Sequence, residues 1–204
     1  NGKASAPLHA LRKAALARFV ELGLPTTRDE DWRYTNVASI GGFDFQPPIG
    51  AEGHGVTAGD LEPFAFTSLA SSRLVFVNGV YSPELSALRP LPDGVRVCGL
   101  AEALADRRAL EPYLNRGVRY QDHAFSVLNT AFLRDGAFVH LPKGAVVREP
   151  IHLLFLSTGR GGTTSHPRSL ILADAGSQAT LSESYVGIED GAYLTNAATD
   201  VLTG

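Results

Sequence analysis

Residues 136–158, GAFVHLPKGAVVREPIHLLFLST, and residues 165–187, SHPRSLILADAGSQATLSESYVG, decide the fold class of this chain. Apolar residues occupy alternate positions in these segments, as at Ile151, Leu153 and Phe155. Alternation with a period of two is typical of strands that bury one face, and the Pro and Gly residues between the runs indicate turns. The sequence therefore predicts a succession of short strands.

The two segments also repeat one another. The pattern apolar-x-apolar-x-x-Gly begins at Val139 and recurs 32 residues later at Ile171. Repeats of this length are typical of a solenoid, in which each unit buries its apolar face against the next. We therefore expect the strands to form stacked coils.

Composition limits the classes of partner. The net charge is −3 and the pI is about 6.1, whereas nucleic acids and anionic membranes select basic surfaces. Cys98 is the one cysteine, which excludes an internal disulfide and a multi-cysteine metal site, and it fits a reducing compartment such as the cytoplasm. No apolar run approaches the ~20 residues of a membrane span. Because the chain contains no Met and stops after a strand-like run, we expect it to be part of a longer protein.

The residues before 136 carry mostly helical patterns. Five apolar side chains recur at intervals of three and four and would share one helix face: Leu8, Leu11, Ala15, Phe19 and Leu22. Gly23 and Pro25 follow this pattern and predict the end of the helix. Further helices are expected at residues 100–114 and 122–133, the latter as a cover for one end of the strands.

Local motifs predict other elements of this region. Thr27 and Glu30 have the spacing of a capping box, which predicts a short helix. Asn78-Gly79 lies between β-branched and aromatic residues over 73–81 and predicts a hairpin, because both residues tolerate positive φ. Another short strand is expected at residues 95–98.

Composition changes along the chain predict the domain organisation. Glycine, proline and polar residues dominate residues 41–59, which predicts a linker. We expect an N-terminal helical and mixed region over residues 1–135, with the linker near 41–59, followed by a β domain over residues 136–204. The predicted class is α+β and mainly β.

The sequence contains few patterns that indicate a reaction centre. His140 and His152 fall within strands where they could share a face, but no histidine pair has a metal-binding helix spacing such as H-E-x-x-H. Cys98 is expected to be a small buried residue. A nucleophile elbow G-x-S-x-G is absent from the sequence.

Three carboxylates carry the alternative that the protein is a β-solenoid carbohydrate-active enzyme. Asp174, Glu183 and Asp200 could project from successive coils and serve as general acid and base. They lie among small residues without a Lys or Arg cluster to bind an acidic sugar. We therefore predict no catalytic, cofactor-binding or metal-binding residue. A structural solenoid without partners is a third possibility.

Four runs of sequence carry a resemblance to a known family. They are RDEDWRYTNVASI at 28–40, FVNGVYSPELS at 76–86, AFSVLNTAFLRDGAFVHLPKGAVVREPIHLLFLST at 124–158 and HPRSLILADAGSQATLSESYVG at 166–187. Together they resemble the SufD family of the SUF iron–sulfur cluster assembly system. The element from Glu30 to Thr35 is more similar to SufD than to its paralogue SufB.

This resemblance implies a fold, a function and partners. The fold would be a helical N-terminal region followed by the first coils of a right-handed parallel β-helix. The function would be that of a non-catalytic scaffold, paired with a SufB-like paralogue and with a SufC-like ABC-type ATPase. The ATPase would bind a C-terminal region outside this chain, and the iron–sulfur cluster would be assembled by the complex rather than bound by residues 1–204.

Overall fold

The structure is a computed structural model that describes residues 6–46, 55–64, 71–105, 110, 113, 122–159 and 162–204. The α-helices with described bounds are α1 (Ala6–Leu22), α2 (Leu100–Ala105) and α3 (Ala124–Ala131), and Leu110 and Tyr113 are helical as well. Short 3-10 helices span Glu30–Trp32, Ala38–Gly42 and Ala58–Phe64. Ten strands are present in the same residues: β1 (Ser72–Val77), β2 (Val80–Tyr81), β3 (Arg96–Gly99), β4 (Ala137–Leu141), β5 (Ile151–Ser157), β6 (Thr164–Ser165), β7 (Arg168–Ala173), β8 (Leu181–Gly187), β9 (Leu194–Thr195) and β10 (Ala198–Thr203).

The described strands form three sheets. The first sheet has the order β2-β1-β5-β8, the second has the order β10-β7-β4-β3, and a small sheet joins β6 to β9. Pairing is parallel between β1 and β5, β5 and β8, β4 and β7, β7 and β10, and β6 and β9. The expected mainly β character is therefore present.

The prediction of a right-handed parallel β-helix, and with it the stacked coils of a solenoid, is wrong. Both larger sheets are mixed, because β2 runs antiparallel to β1 and β3 runs antiparallel to β4. The strands lie in separate open sheets and form no closed coil within the described residues. The reversal at β2 has a local cause, because a two-residue turn returns the chain along the strand it has just left.

The 32-residue repeat corresponds to the parallel pairing of β4 with β7. Val139 pairs with Ile171, and Leu141 pairs with Ala173. The two segments pair in register because a shift of one residue would turn each apolar set to the opposite face of the sheet. The two copies of the repeat are therefore neighbouring strands of one sheet.

Alternate residues of the two larger sheets form a shared core. The buried cluster includes Leu74, Phe76 and Phe155 from the first sheet and Val139 and Ile171 from the second. Aromatic rings form a ladder across the first sheet, where Phe155 stacks on Phe76 with ring centroids 4.6 Å apart. Offset ring stacking of this kind adds about 1 kcal/mol to the burial of each ring pair.

The other face of each larger sheet is covered by the N-terminal part of the chain. On the second sheet, Phe138 and Leu172 pack in one cluster with Leu8 of α1 and Leu100 of α2. On the first sheet, Val75, Val77, Leu154 and Leu156 pack with Leu61 of the third 3-10 helix. Central strands buried on both faces explain the nearly continuous apolar run in β5.

Several local predictions are confirmed. Helix α1 ends at Leu22, and Gly23 follows it with a φ of 68°. Asn78 and Gly79 both have positive φ and connect β1 to β2 as a hairpin. Strand β3 covers residues 96–98 of the run expected at 95–98, and α3 lies within the helix expected at 122–133. For the helix expected at 100–114, α2 ends at Ala105, and residues 106–109, 111–112 and 114 lie outside the described residues.

The predicted capping box is wrong. The 3-10 helix begins at Glu30 after Asp29, whose side chain makes no capping hydrogen bond to it. Instead the amide of Thr26 donates to the Asp29 carboxylate at 2.7 Å. The motif therefore lies one residue earlier than predicted and stabilises a turn. A carboxylate accepts an amide hydrogen bond more strongly than a neutral hydroxyl does.

The division of the chain near residue 135 stays a prediction. Strands from both sides of this position share the two larger sheets, as in the pairing of β1 with β5 and of β3 with β4. The predicted linker at 41–59 lies partly outside the described residues, since 47–54 are not among them. In the part of the chain that is described, no helix combines the length and the apolar character needed to cross a bilayer.

Candidate functional site

The carboxylate of Asp200 is held by an arginine. Nε of Arg168 donates to Oδ2 of Asp200 at 2.7 Å, and Nη1 of Arg168 donates to Oγ1 of Thr130 in α3 at 2.9 Å. Arg168 begins β7 and Asp200 lies on the neighbouring β10, so the pair fastens two strands to a helix. Both side chains are mostly buried, and the positive charge of Arg168 compensates the negative charge of Asp200.

The other two predicted carboxylates have separate partners. Oδ2 of Asp174 lies 3.2 Å from Nε2 of His140 in a half-exposed pair. The carboxylate of Glu183 accepts hydrogen bonds from the hydroxyl of Tyr185 at 2.8 Å and from that of Thr199 at 2.9 Å. No hydrogen bond or ion pair of the described residues joins one of the three carboxylates to another. Each carboxylate is instead held by its own neighbouring side chains.

The two strand histidines lie in different sheets. His140 is on β4 in the second sheet, whereas His152 is on β5 in the first sheet. Nε2 of His152 lies 2.9 Å from Oγ of Ser184 on β8, and burial together with the charge of Arg73 lowers the pKa of His152. The two histidines therefore do not share a face, which the sequence left open as a possibility. Within the described residues, no group of three or more His, Cys, Asp or Glu side chains could hold a metal ion.

Cys98 is buried in strand β3, as predicted. Burial raises the pKa of its thiol, and the negative charge of Glu102 acts in the same direction. The thiolate is the reactive form of cysteine, so these surroundings favour an unreactive side chain. The structure gives Cys98 the packing role of a small apolar residue.

Asp135 is a buried carboxylate that the sequence patterns did not single out. Its Oδ2 accepts from the amide of Tyr81, and its Oδ1 accepts from the amides of Ala101 and Gly136, all at 2.9 Å. Burial raises the pKa of this carboxyl against the lowering effect of the three amide bonds. The side chain joins β2, the start of α2 and the start of β4. In the sequence, the only sign of this role is an Asp-Gly pair immediately before a strand.

Helix α3 meets the strands through polar side chains, which we call the α3 seam: Asn129, Thr130, His166, Arg168 and Asn196. Nδ2 of the fully buried Asn129 donates to the carbonyl oxygens of Pro167 and Asn196. Nδ2 of Asn196 donates in turn to the carbonyl oxygen of Phe125 and to Nδ1 of His166. Side-chain amides thus bind backbone carbonyls of α3 and of the segments that precede β7 and follow β9.

His166 is the strongly perturbed group of the α3 seam. Burial lowers its pKa to about 4, so its imidazole is neutral at pH 7. Since Nδ1 accepts from Asn196, the proton lies on Nε2, which faces Oγ1 of Thr164 at 3.1 Å. The ring also stacks on Phe132, the residue after α3, with ring centroids 5.1 Å apart. These contacts fix α3 against the strands and present no free nitrogen to a ligand.

One side of the described molecule exposes an edge of every sheet. Strands β8, β9 and β10 each pair on one side only, and we call these strands the strand-edge surface. Tyr185 is 44% exposed and stacks on Phe155, and Val201 is 58% exposed beside Ile171. Unpaired strand edges with apolar neighbours can accept further strands.

Comparisons with known proteins agree on one family. The family model described as SufBD protein N-terminal region matches residues 1–153. An iron–sulfur cluster assembly SufBD family protein of Synechocystis is 30% identical over 203 residues, which cover 95% of this chain and 44% of that protein. The iron–sulfur cluster assembly protein SufD of Escherichia coli is 26% identical over 89% of this chain and 40% of its own length. The SufD of Bacillus subtilis is 26% identical over 97% of this chain and 46% of its own length. The chain thus spans less than half the length of these relatives.

Proposed function

The chain belongs to the SufBD family, and from this membership we propose that the protein acts in iron–sulfur cluster assembly as a non-catalytic scaffold subunit. The observation that carries the proposal is the match of the family model to residues 1–153. The names of its relatives from Synechocystis, Escherichia coli and Bacillus subtilis, all iron–sulfur cluster assembly proteins, support the part of the proposal that concerns cluster assembly.

The proposed partners are a SufB-like paralogue and a SufC-like ABC-type ATPase. The iron–sulfur cluster is the product of the assembled complex in this proposal, and no residue described here is assigned to it. Because the relatives extend well beyond the length of this chain, we propose the partner contacts for the full-length protein. The proposed compartment is the cytoplasm, where reducing conditions suit a chain with one cysteine.

A scaffold that transmits motion from an ATPase must be rigid. The two larger sheets share one apolar core, and each also packs against the N-terminal segments on its other face. Such close-packed interiors have low compressibility and pass small displacements on. The α3 seam and Asp135 add hydrogen bonds between elements far apart in the sequence, which supports a rigid role for this part of the protein.

Co-purification of the full-length protein tests the proposal. The tagged protein is expressed with the SufB-type and SufC-type proteins of its own organism, and the eluate is analysed by mass spectrometry and light scattering. We expect both proteins to elute with it at a fixed ratio. We also expect iron–sulfur enzyme activity in cells to fall when its gene is deleted. Elution of the tagged protein alone, together with unchanged enzyme activity in the deletion strain, would overturn the proposal.

A double variant separates the scaffold from the carbohydrate-active alternative. Asp174→Asn with Glu183→Gln removes two of the carboxylates that the alternative requires while keeping side-chain size. On the scaffold proposal this double variant restores iron–sulfur enzyme activity to the deletion strain as well as the wild type does. Polysaccharide cleavage by the wild type that disappears in the double variant would instead favour the enzyme.

A further inference from the structure

We draw no further inference here: the strongest candidate, the strand-edge surface of β8, β9 and β10 with the exposed side chains of Tyr185 and Val201, carries nothing because nothing in the described structure shows what covers it.

Discussion

Arg168 and Asp200, 32 residues apart in the sequence, form an ion pair in which Nε and Oδ2 are 2.7 Å apart and each side chain is 15% exposed. The arginine also binds Thr130, so one guanidinium connects α3 with β7 and β10. A pair buried to this extent is a poor source of net stability, but removing one partner leaves the other charge without compensation. The pair therefore makes the attachment of α3 sensitive to a single substitution.

Asp200→Ala should lower the free energy of unfolding by about 3 kcal/mol, because it leaves the Arg168 guanidinium largely buried and unpaired. Urea denaturation followed by circular dichroism measures this change. The matched control is Asp174→Ala, which breaks the more exposed pair with His140 and should cost less than about 1 kcal/mol. Equal losses in the two variants would contradict the structural role of the Arg168–Asp200 pair.

Stability should fall on acidification because of His166. Its pKa is lowered from 6.5 in the unfolded chain to about 4 in the folded protein, so below pH 6.5 the unfolded state binds a proton that the folded state does not. The contribution of the neutral ring is present in full above pH 6.5 and is lost as the pH falls towards 4. Between pH 7 and pH 4.5 this loss amounts to about 2.5 kcal/mol.

The variant His166→Gln isolates that contribution. Its free energy of unfolding should fall less between pH 7 and pH 4.5 than that of the wild type, by the same ~2.5 kcal/mol, because glutamine does not titrate. Other groups titrate alike in both proteins and cancel in the difference. Parallel stability curves over this pH range would show that His166 is protonated as easily in the folded protein as in the unfolded chain.

The ring of Phe155 lies between those of Phe76 and Tyr185, with centroids at 4.6 Å and 4.9 Å. Phe155→Ala should cost about 4 kcal/mol in unfolding free energy, since it opens a cavity in the shared core and removes both stacking contacts. Tyr185→Ala, at the 44% exposed end of the ladder, should cost about 1–2 kcal/mol. Thermal denaturation of both variants checks the order, and a larger loss for Tyr185→Ala would contradict it.

Gly136 admits no side chain. A Cβ atom there would lie 2.0 Å from the carbonyl oxygen of Arg168, and the residue has a φ of 154°. Gly136→Ala should therefore destabilise the fold by more than about 4 kcal/mol or prevent folding, because the clash is with backbone. At Gly42 a Cβ atom would meet nothing within 4 Å, so Gly42→Ala should change stability by less than about 1 kcal/mol.

Soluble yield and far-UV circular dichroism of the two alanine variants measure the contrast. In co-purification of the full-length protein, Gly42→Ala should keep the proposed partners and Gly136→Ala should lose them. A Gly136→Ala variant that melts within a few degrees of the wild type would show that the close approach of Gly136 to Arg168 is wrong.

Features that depend on a few neighbouring residues could be predicted from the sequence. The hairpin at Asn78-Gly79 is an example, because positive φ at two successive positions restricts the residue types. The end of α1 at Gly23 follows from the same property of glycine. The capping box failed because Thr26, Thr27, Asp29 and Glu30 offer two overlapping spacings, and the contacts of the folded chain favour Thr26 with Asp29.

Features that depend on distant residues could not be predicted in this way. Alternation predicts that Asp200 lies on one face of a strand, but not that Arg168 will face it. Likewise, nothing local to Asp135 indicates that amides from Tyr81 and Ala101 will converge on its carboxylate. The strand-edge surface depends on the order of strands in three sheets, which only long-range pairing fixes.

By itself, the sequence determined the period-two strands of residues 136–187, the repeat that pairs Val139 with Ile171, and the resemblance to the SufD family. The tertiary structure decided that these strands lie in separate sheets, which β2 and β3 make mixed, rather than in a parallel β-helix. The physical reason is that alternation records which face of a strand is buried. Except where a tight turn joins two strands, the identity and direction of the neighbouring strand depend on backbone hydrogen bonds. Every residue type except proline can donate these bonds, so residue types give little indication of them.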